Sequence, residues 1–547
     1  MQIADWCVDG GVLTLTGPEG IVRIEAVTDA IVRVLMGRRA EELDGPGPVV
    51  TEPQAVNGQW TVTEEDGLLS ARTGRVELRV RCRTGAFSWH DARGRLLFRE
   101  PERGGREITP ADVTRTVFDG PVTVTEEQTV DGGRAAVAGG RTVVDRQAYR
   151  ARLSFDWQPG EALYGLGSHE EGILDYRGHS QYLYQHNMKV AIPILVSSRG
   201  YGILLDSAAL VTFRDDQYGS YLWTEAVDRL EYWVLFGPGL DGVVSGMRSL
   251  TGRPPLFPRW FFGYVQSKER YETGQELADV VREYRRRKIP LDCIVLDWQS
   301  WEGNLWGQKS FDRSRFPDPK AMIDDLHDLN AKFMISIWPH MRNEGENQVE
   351  LRRQGGLLGN GTTLDAFDPA ARATYWKQAE RGLFRHGVDA WWCDCTEPFE
   401  GDWRGAVKPE PEERLARNTA PFRRFLDPAL MNAYSLRHCQ GIYEGQRGCT
   451  ERKRVVNLTR SGFPGQQRYG AVVWSGDIQA TWDTLRRQIA DGLNFCAAGM
   501  PYWTLDIGAF FVEKRRDLWF WDVHMGGCGN PAYRELYTRW LQWGVFL

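Results

Sequence analysis

Short apolar runs that alternate with polar residues dominate the first part of the chain. The clearest examples are residues 12–16, 21–24, 31–35 and 76–80, and Gly, Asp and Asn residues separate such runs. This alternation is typical of antiparallel strands with one face on a core and the other in water. Residues 1–250 are therefore predicted to form a β-sandwich domain.

The pattern changes after a segment that contains Pro254, Pro255 and Pro258, which fix an extended backbone and mark a domain boundary. Beyond it, apolar runs of strand length alternate with amphipathic stretches of helix length. Strands are predicted at 260–265, 292–297, 332–338, 388–393, 454–458, 471–474 and 501–505. Helices are predicted at 276–287, 319–329, 370–385, 429–443, 481–495 and 531–542. This alternation predicts a parallel barrel over residues 251–547, with its active site at the carboxyl ends of the strands.

Composition and charge narrow the range of partners. Of the 547 residues, 42% are hydrophobic and 26% are charged, as in a globular protein. The formal net charge of −6 comes from interspersed charges, so neither nucleic acid nor an anionic membrane is expected to bind. A neutral small molecule fits better, and the 22 Trp residues supply flat rings of the kind against which sugars pack. Whether the chain forms a homo-oligomer stays open.

Targeting and metal-binding patterns are not recognised in the sequence. The amino terminus shows no basic segment with an apolar run of signal-peptide length, and a cytoplasmic protein is expected. The nine Cys residues have a scattered spacing that matches no zinc pattern, so no metal and no other cofactor are predicted. Cys393 and Cys395 flank Asp394 and are expected to pack against the core.

Two aspartates follow short apolar strands in a way that points to chemistry. Asp394 comes directly after one predicted strand, and Asp477 closely follows another. A buried carboxylate is costly unless it is paired or kept for a reaction, because burial raises its pKa. Two acids at two strand ends, both near Trp, suit cleavage of a glycosidic bond. The structural alternative is a buried ion network with Arg460 or Arg468.

Four segments around these acids resemble glycoside hydrolase family 31, the retaining α-glucosidases and α-xylosidases. They are WWCDCTEP at 391–398, LTRSGFPGQQRY at 458–469, VVWSGDI at 472–478 and PYWTLDIGAFF at 501–511. The resemblance runs from about Tyr164 to the last residue, and its look is nearest to the bacterial α-xylosidase branch. It implies a mutarotase-like β-sandwich followed by a (β/α)8 barrel of the TIM type.

The resemblance also implies roles for individual residues. Asp394 matches the nucleophile of the family and Asp477 its acid/base. Asp297 and Asp506 match acids that hold sugar hydroxyls, and Arg460 matches an arginine that binds sugar oxygens and balances the acids. The remaining expected substrate contacts are aromatic side chains and one histidine: Trp338, Trp392, Trp474, Phe510 and His186.

Three parts of the chain add alternatives or exceptions to the resemblance. Gln185, His186 and Asn187 lie in a segment dense in polar and aromatic residues. In the family a loop from this region touches the sugar, whereas a packed seam between the two domains is the alternative. Glu397 is interpreted as a structural acid. Leu505 and Ala509 depart from the family pattern on either side of Asp506, so the resemblance does not imply the shape of the sugar pocket there.

The implied activity is retaining, exo-acting hydrolysis that releases terminal α-linked xylose, glucose or galactose. Residues 543–547 match the opening of the eighth barrel strand of the family, so this chain is expected to lack that strand and to have a barrel incomplete at its carboxyl end. A catalytically impaired fragment, or a non-catalytic carbohydrate-binding homologue, is therefore the alternative.

Overall fold

A computed structural model describes residues 1–118, 123–129, 132–399, 407–513, 519 and 524–547. Its N-terminal part is built from antiparallel strands. These are, in chain order, β1 (Asp5–Asp9), β2 (Val12–Gly17), β3 (Gly20–Thr28), β4 (Ile31–Gly37), β5 (Thr61–Glu65), β6 (Leu68–Arg72), β7 (Val76–Arg81), β8 (Ala86–Asp91), β9 (Leu96–Arg99), β10 (Arg106–Val117), β11 (Thr123–Thr129), β12 (Gly132–Ala138), β13 (Arg141–Phe155), β14 (Leu163–Ser168), β15 (Ser180–Leu183), β16 (Val190–Ser197), β17 (Tyr201–Leu205), β18 (Val211–Asp216), β19 (Gly219–Val227) and β20 (Leu230–Phe236).

The larger sheets of this domain enclose one apolar core. Among the described residues, one sheet has the order β1-β2-β3-β4-β20-β17-β16-β14 and another the order β10-β13-β19-β18-β15, while β5 to β9 form a third. Leu13 and Val22 of the first sheet share a buried cluster with Leu153 and Phe213 of the second and Trp89 of the third. The alternation seen in the sequence places these side chains inward. The predicted β-sandwich is confirmed.

The second part is an α/β domain whose strands form one parallel sheet. The strands are β21 (Val265–Gln266), β22 (Cys293–Leu296), β23 (Lys332–Ile337), β24 (Ala390–Cys393), β25 (Asn457–Thr459), β26 (Ala471–Trp474) and β27 (Trp503–Thr504). The helices are α1 (Leu240–Thr251), α2 (Gly274–Arg286), α3 (Pro319–Asp328), α4 (Glu346–Arg353), α5 (Pro369–Gly382), α6 (Pro411–Phe425), α7 (Tyr434–Cys449), α8 (Trp482–Ala497) and α9 (Pro531–Gly544). α1 joins the two domains.

The parallel sheet runs in sequence order from β21 to β27, and each pair of neighbours is parallel. Val295, Met334, Trp392, Leu458 and Trp474 from successive strands form one buried cluster inside the curved sheet. Such a layer of side chains is how a barrel of this type fills its interior. The predicted parallel barrel is confirmed for these seven strands. Within the described residues, β21 and β27 stand at the two edges of the sheet.

Several predicted boundaries were wrong. Arg259–Phe262 forms a 3-10 helix, because Phe257 and Phe261 pack on each other and Phe257 also packs on Tyr502 below the sheet. The strand predicted at 454–458 lies at Asn457–Thr459, where both neighbouring strands offer partners. The helix predicted at 429–443 begins at Tyr434.

Further differences concern helices. α1, α4 and α6 were not predicted, although Pro411 at the first position of α6, followed by Glu412 and Glu413, is a usual start signal. Residues 543–547 do not open a strand: α9 extends to Gly544, and the amide of Val545 bonds the carbonyl of Leu541 at 3.2 Å. Local helical bonds satisfy these amides without a neighbouring strand. No helix among the described residues has the length and apolarity needed to cross a lipid bilayer.

Asn432, just before α7, ties the sandwich to the barrel. Its side-chain amide donates to the carbonyl oxygens of Leu183 at 3.1 Å and Ala209 at 2.8 Å. Its side-chain oxygen accepts from the backbone amide of Gln185 at 3.2 Å. All of these groups are buried, so the bonds are not replaceable by water. Asn432 is therefore one of the side chains that hold the seam between the domains.

We expect Asn432→Ala to lower the free energy of unfolding by about 3 kcal/mol, because it leaves buried backbone groups without partners at about 1–3 kcal/mol each. Urea denaturation followed by tryptophan fluorescence measures the change. Asn57→Ala, at an exposed position of the sandwich, is the control and should change stability by less than about 0.5 kcal/mol. Equal stability of the two variants would contradict the role given to Asn432.

Candidate active site

A cavity of about 1880 Å³ lies inside the curved sheet and reaches the carboxyl ends of its strands. Nearly all the predicted catalytic and substrate-binding residues line it, namely Asp297, Trp338, Trp392, Asp394, Arg460, Trp474, Asp477, Asp506 and Phe510. They come together because the carboxyl ends of parallel strands meet at one face of a barrel. Asp297 directly follows β22, Asp394 follows β24 and Arg460 follows β25.

The guanidinium of Arg460 is buried among carboxylates. Its Nε lies 2.6 Å from Oε1 of Glu397 and 3.3 Å from Oδ1 of Asp394. Its Nη1 lies 2.8 Å from Oδ2 of Asp477. Both candidate catalytic acids therefore contact one cation. The ion network that sequence analysis weighed as an alternative is present around Arg460, whereas Arg468 bonds Thr51.

Glu397 and the neighbouring cysteines complete the surroundings of this cation. Glu397 is fully buried and accepts from Arg460, as a structural acid would. Cys393 packs in the core as expected. Cys395 is also buried, but its Sγ accepts from Nη2 of Arg460 at 2.8 Å, a contact that the sequence did not suggest.

Burial raises the pKa of several acids in the cavity. The pKa of Asp394 lies well above its ordinary value because of burial; Arg460 opposes this shift, and the charges of Asp477, Asp297 and Glu397 add to it. Burial also raises the pKa of Asp506 well above its ordinary value, helped by the charges of Asp477 and Asp297. The acids of the cavity therefore raise one another's pKa, and Arg460 offsets only part of this effect.

Asp297 is fixed on the opposite side by neutral donors. Its Oδ1 accepts from the hydroxyl of Ser336 at 2.5 Å and from the backbone amide of Trp298 at 2.7 Å. These bonds lower its pKa, but burial dominates and the pKa is raised overall. Both donors hold the carboxyl group in one orientation, as hydroxyl recognition requires.

Sharp turns follow the strands that carry the acids. Trp298, Cys395 and Ala509 have φ angles of +54°, +50° and +72°, in the left-handed region that side chains other than glycine rarely adopt. Each is strained locally, and the packing of the surrounding domain has to hold it. The chain thereby leaves the sheet immediately beyond Asp297 and Asp394.

Aromatic rings form the walls of the cavity. The rings of Trp392 and Trp474 lie 4.8 Å apart between centroids, and Trp306 packs edge-on against Trp338 at 5.2 Å. The indole N–H groups of Trp338 and Trp474 are buried and have no hydrogen-bond partner among the described residues. These N–H groups are not exposed to the open space of the cavity, so the two rings contribute apolar wall to it.

The segment 185–187 of the sandwich domain was expected either to touch the sugar or to form a packed seam between the two domains. Gln185 donates to the carbonyls of Gly462 at 2.7 Å and Asn432 at 3.1 Å, so it belongs to the seam. His186 was predicted to contact substrate, but it is fully buried and is not among the residues that line the cavity. Its Nδ1 lies 2.7 Å from the backbone carbonyl oxygen of Asn187. Asn187 instead contacts Asp477, a role that sequence reasoning missed because it depends on two residues far apart in the chain.

Comparison with protein families gives two matches that together cover most of the chain. Residues 254–547 match the model of the glycosyl hydrolases family 31 TIM-barrel domain. Residues 21–213 match the N-terminal galactose mutarotase-like domain of glycosyl hydrolase 31.

Individual relatives agree with these matches. An α-xylosidase of Saccharolobus solfataricus is 40% identical over 410 residues, which are 73% of this chain and 53% of that protein. An uncharacterised family 31 glucosidase of Pseudescherichia vulneris is 31% identical and is covered over 87% of its length. This chain thus spans about half the length of the first relative.

Among solved structures, the family 31 α-xylosidase of Xanthomonas citri has a TM-score of 0.80 at 26% identity, covering 97% of this chain and 72% of that one. A family 31 α-xylosidase from a soil metagenome, complexed with xylose, has a TM-score of 0.78 at 28% identity, covering 99% and 76%.

The raised pKa of Asp506 generates a prediction about pH and stability. A raised pKa means that the folded state favours the protonated acid. The contribution of Asp506 to the free energy of unfolding is therefore fully present below the unfolded pKa of about 3.9, and it is lost as pH rises through the folded pKa. Asp506→Asn cannot ionise. We expect its melting temperature, relative to that of the parent chain, to rise between pH 4 and pH 9.

Differential scanning fluorimetry across that range measures the effect. Asp9→Asn, at an exposed position of the sandwich, serves as the control and should give a difference that varies little with pH. A difference in melting temperature that stays constant with pH for Asp506→Asn as well would contradict a raised pKa of Asp506 in the folded state.

Proposed function

The chain belongs to glycosyl hydrolase family 31, and we propose that it is a retaining, exo-acting α-glycosidase that releases a terminal α-linked xylosyl residue. The observation that carries this proposal is the placement of Asp394 beyond the end of β24 and of Asp477 beyond the end of β26, with Arg460 between them at the end of β25. Both acids line one cavity, and both contact Arg460. Cleavage of a glycosidic bond with retention needs one carboxylate as nucleophile and a second carboxyl group as acid and then base.

In the first step, a carboxylate oxygen of Asp394 attacks the anomeric carbon of the sugar. The bond between that carbon and the glycosidic oxygen breaks, and the leaving oxygen takes the proton of the Asp477 carboxyl group. The products of this step are the free leaving group, a glycosyl ester on Asp394 and an ionised Asp477. Arg460 balances the charge that moves from Asp394 to Asp477, because it contacts both side chains.

In the second step, Asp477 accepts a proton from water, and the resulting hydroxide attacks the anomeric carbon. The ester bond to Asp394 breaks and its carboxylate is restored. Two inversions at one carbon give net retention. Asp297 and Asp506 each offer carboxyl oxygens to hydroxyls of the ring, and the rings of Trp338 and Trp474 line the same cavity.

Xylose is the first choice of sugar because the relatives and solved structures that cover most of the chain include α-xylosidases. Glucose and galactose remain candidates, since α-glucosidases also match, for example that of Bacillus thermoamyloliquefaciens at 25% identity.

A non-catalytic carbohydrate-binding role, or an impaired enzyme, is the second candidate. The observation that favours it is that β21 and β27 are sheet edges within the described residues, and Val265 and Thr504 of those edges line the same cavity as Asp394. An unpaired edge leaves backbone groups without a sheet partner.

Turnover with retention separates the two candidates. We expect the protein to hydrolyse an aryl α-xyloside with α-xylose as the product formed first, as followed by proton NMR. A 5-fluoro xylosyl fluoride should add one glycosyl group to Asp394, detected by mass spectrometry of the intact protein and its peptides. Binding of xylose without turnover or label would favour the non-catalytic role, and β-xylose as first product would contradict the mechanism.

The two aspartates should differ in their dependence on the leaving group. We expect Asp394→Ala to abolish turnover of every substrate, because no other group forms the ester. Asp477→Ala should slow an aryl xyloside by about 10²–10⁴-fold but largely spare a xylosyl fluoride, whose leaving group needs little protonation. Initial rates on both substrates test this. Equal losses on both for both variants would mean that the roles are assigned wrongly.

A further inference from the structure

The side-chain amide of Asn187 faces Asp477 with both of its functional atoms. Nδ2 donates to Oδ2 of Asp477 at 2.7 Å, and Oδ1 accepts from the backbone amide of Asp477 at 2.9 Å. Asn187 is fully buried and comes from the sandwich domain, 290 residues away in the sequence. Two bonds to one residue fix both the backbone and the carboxyl group of Asp477.

Asn187 can lie this close to Asp477 because the residue before Asp477 is a glycine. Gly476 has a φ of +77°, and a Cβ atom at this position would lie 2.4 Å from Oδ1 of Asn187 and 2.6 Å from the amide nitrogen of Met188. Any other residue would push the sandwich segment away. On the other side, His186 and Lys189 exchange backbone hydrogen bonds of 3.3 and 2.7 Å and hold Asn187 at the tip of a tight turn.

The contacts determine which oxygen of Asp477 carries the transferable proton. Oδ2 accepts from Nδ2 of Asn187 and from Nη1 of Arg460, at 2.7 and 2.8 Å. The NH₂ group of an amide and a guanidinium can only donate hydrogen bonds. A proton on Oδ2 would therefore compete with the two donor hydrogens that this oxygen already accepts. The acid form of Asp477 therefore holds its proton on Oδ1.

We propose that Asn187 is a positioning residue for the acid/base, which confines the proton of Asp477 to Oδ1 and stabilises its ionised form by hydrogen bonding. The inference rests on the proposed function of Asp477 as acid and base. It assigns the sandwich domain an indirect part in proton transfer, which acts through Asp477 and without contact to the reacting atoms.

The test uses Asn187→Ala and Asn187→Asp in the full chain. The alanine variant loses the donor to Oδ2, so the ionised form of Asp477 is less favoured and the alkaline limb of the kcat/KM profile should move up by about one pH unit. The aspartate variant keeps the size of the side chain but adds a negative charge, so a larger upward shift is expected. Both variants should lose at least about tenfold in turnover of an aryl xyloside and much less with xylosyl fluoride.

A structural role would not give these results, and Asn494→Ala provides the matched control. Asn494 is a buried asparagine of the same seam, with bonds to the backbone of Gly165, Ile173 and Leu174, and it does not contact Asp477. Its replacement should lower the melting temperature and leave the alkaline limb in place. Folding of all variants is checked by circular dichroism and thermal melts.

A direct titration keeps the inference separate from the proposed function. Carboxyl ¹³C NMR of aspartate-labelled protein, with the Asp477 signal assigned from Asp477→Asn, follows ionisation without turnover. An inactive parent chain would refute the proposed function, yet the Asp477 signal of Asn187→Ala should still titrate at higher pH. Folded Asn187 variants with an unmoved alkaline limb, an unmoved titration, or equal losses on both substrates would overturn the inference.

Discussion

The buried guanidinium of Arg460 is the interaction on which the site depends. Taking a carboxylate out of water costs several kcal/mol unless a cation and further hydrogen bonds compensate. Arg460 contacts Glu397 through Nε and Asp477 through Nη1, and Asp394 lies within 3.3 Å of Nε. A lysine could not replace it, because an ammonium group lacks the planar fork that reaches separate acids in fixed directions.

One cation does not neutralise the whole cavity, and the excess of acid is a property of the site. The pKa values of Asp297, Asp394 and Asp506 are all raised, chiefly by burial. Left-handed backbone at Trp298 and Cys395 adds local strain beside the same acids. Charge repulsion and backbone strain lower the free energy of unfolding. A well-packed domain tolerates this loss at the site where these acids have to be held for a reaction.

The two domains meet at the site and not merely beside it. Asn432 and Gln185 fasten the sandwich segment to the barrel, and Asn187 in that segment then reaches Asp477. Gly476 allows the contact because a side chain there would collide with Asn187. The barrel supplies the acids, while the sandwich fixes the orientation of one of them. Of the seam residues named here, Asn187 is the one whose side chain bonds Asp477.

The sequence by itself determined the strand–helix alternation, the sandwich before it and the two acids at strand ends, because these depend on periodicity and on neighbours close in the chain. It also identified Asp297, Arg460 and Asp506 through their surrounding motifs. It missed α6, shifted β25 by a few residues and placed a strand at 543–547, since pairing partners decide where a short strand begins and ends. Only the tertiary structure decided that Asn187 and not His186 reaches the site, that Cys395 accepts a bond from Arg460 and that one guanidinium joins both candidate catalytic acids. These contacts join residues of different domains or strands, and packing sets their distances and directions, which no local pattern encodes.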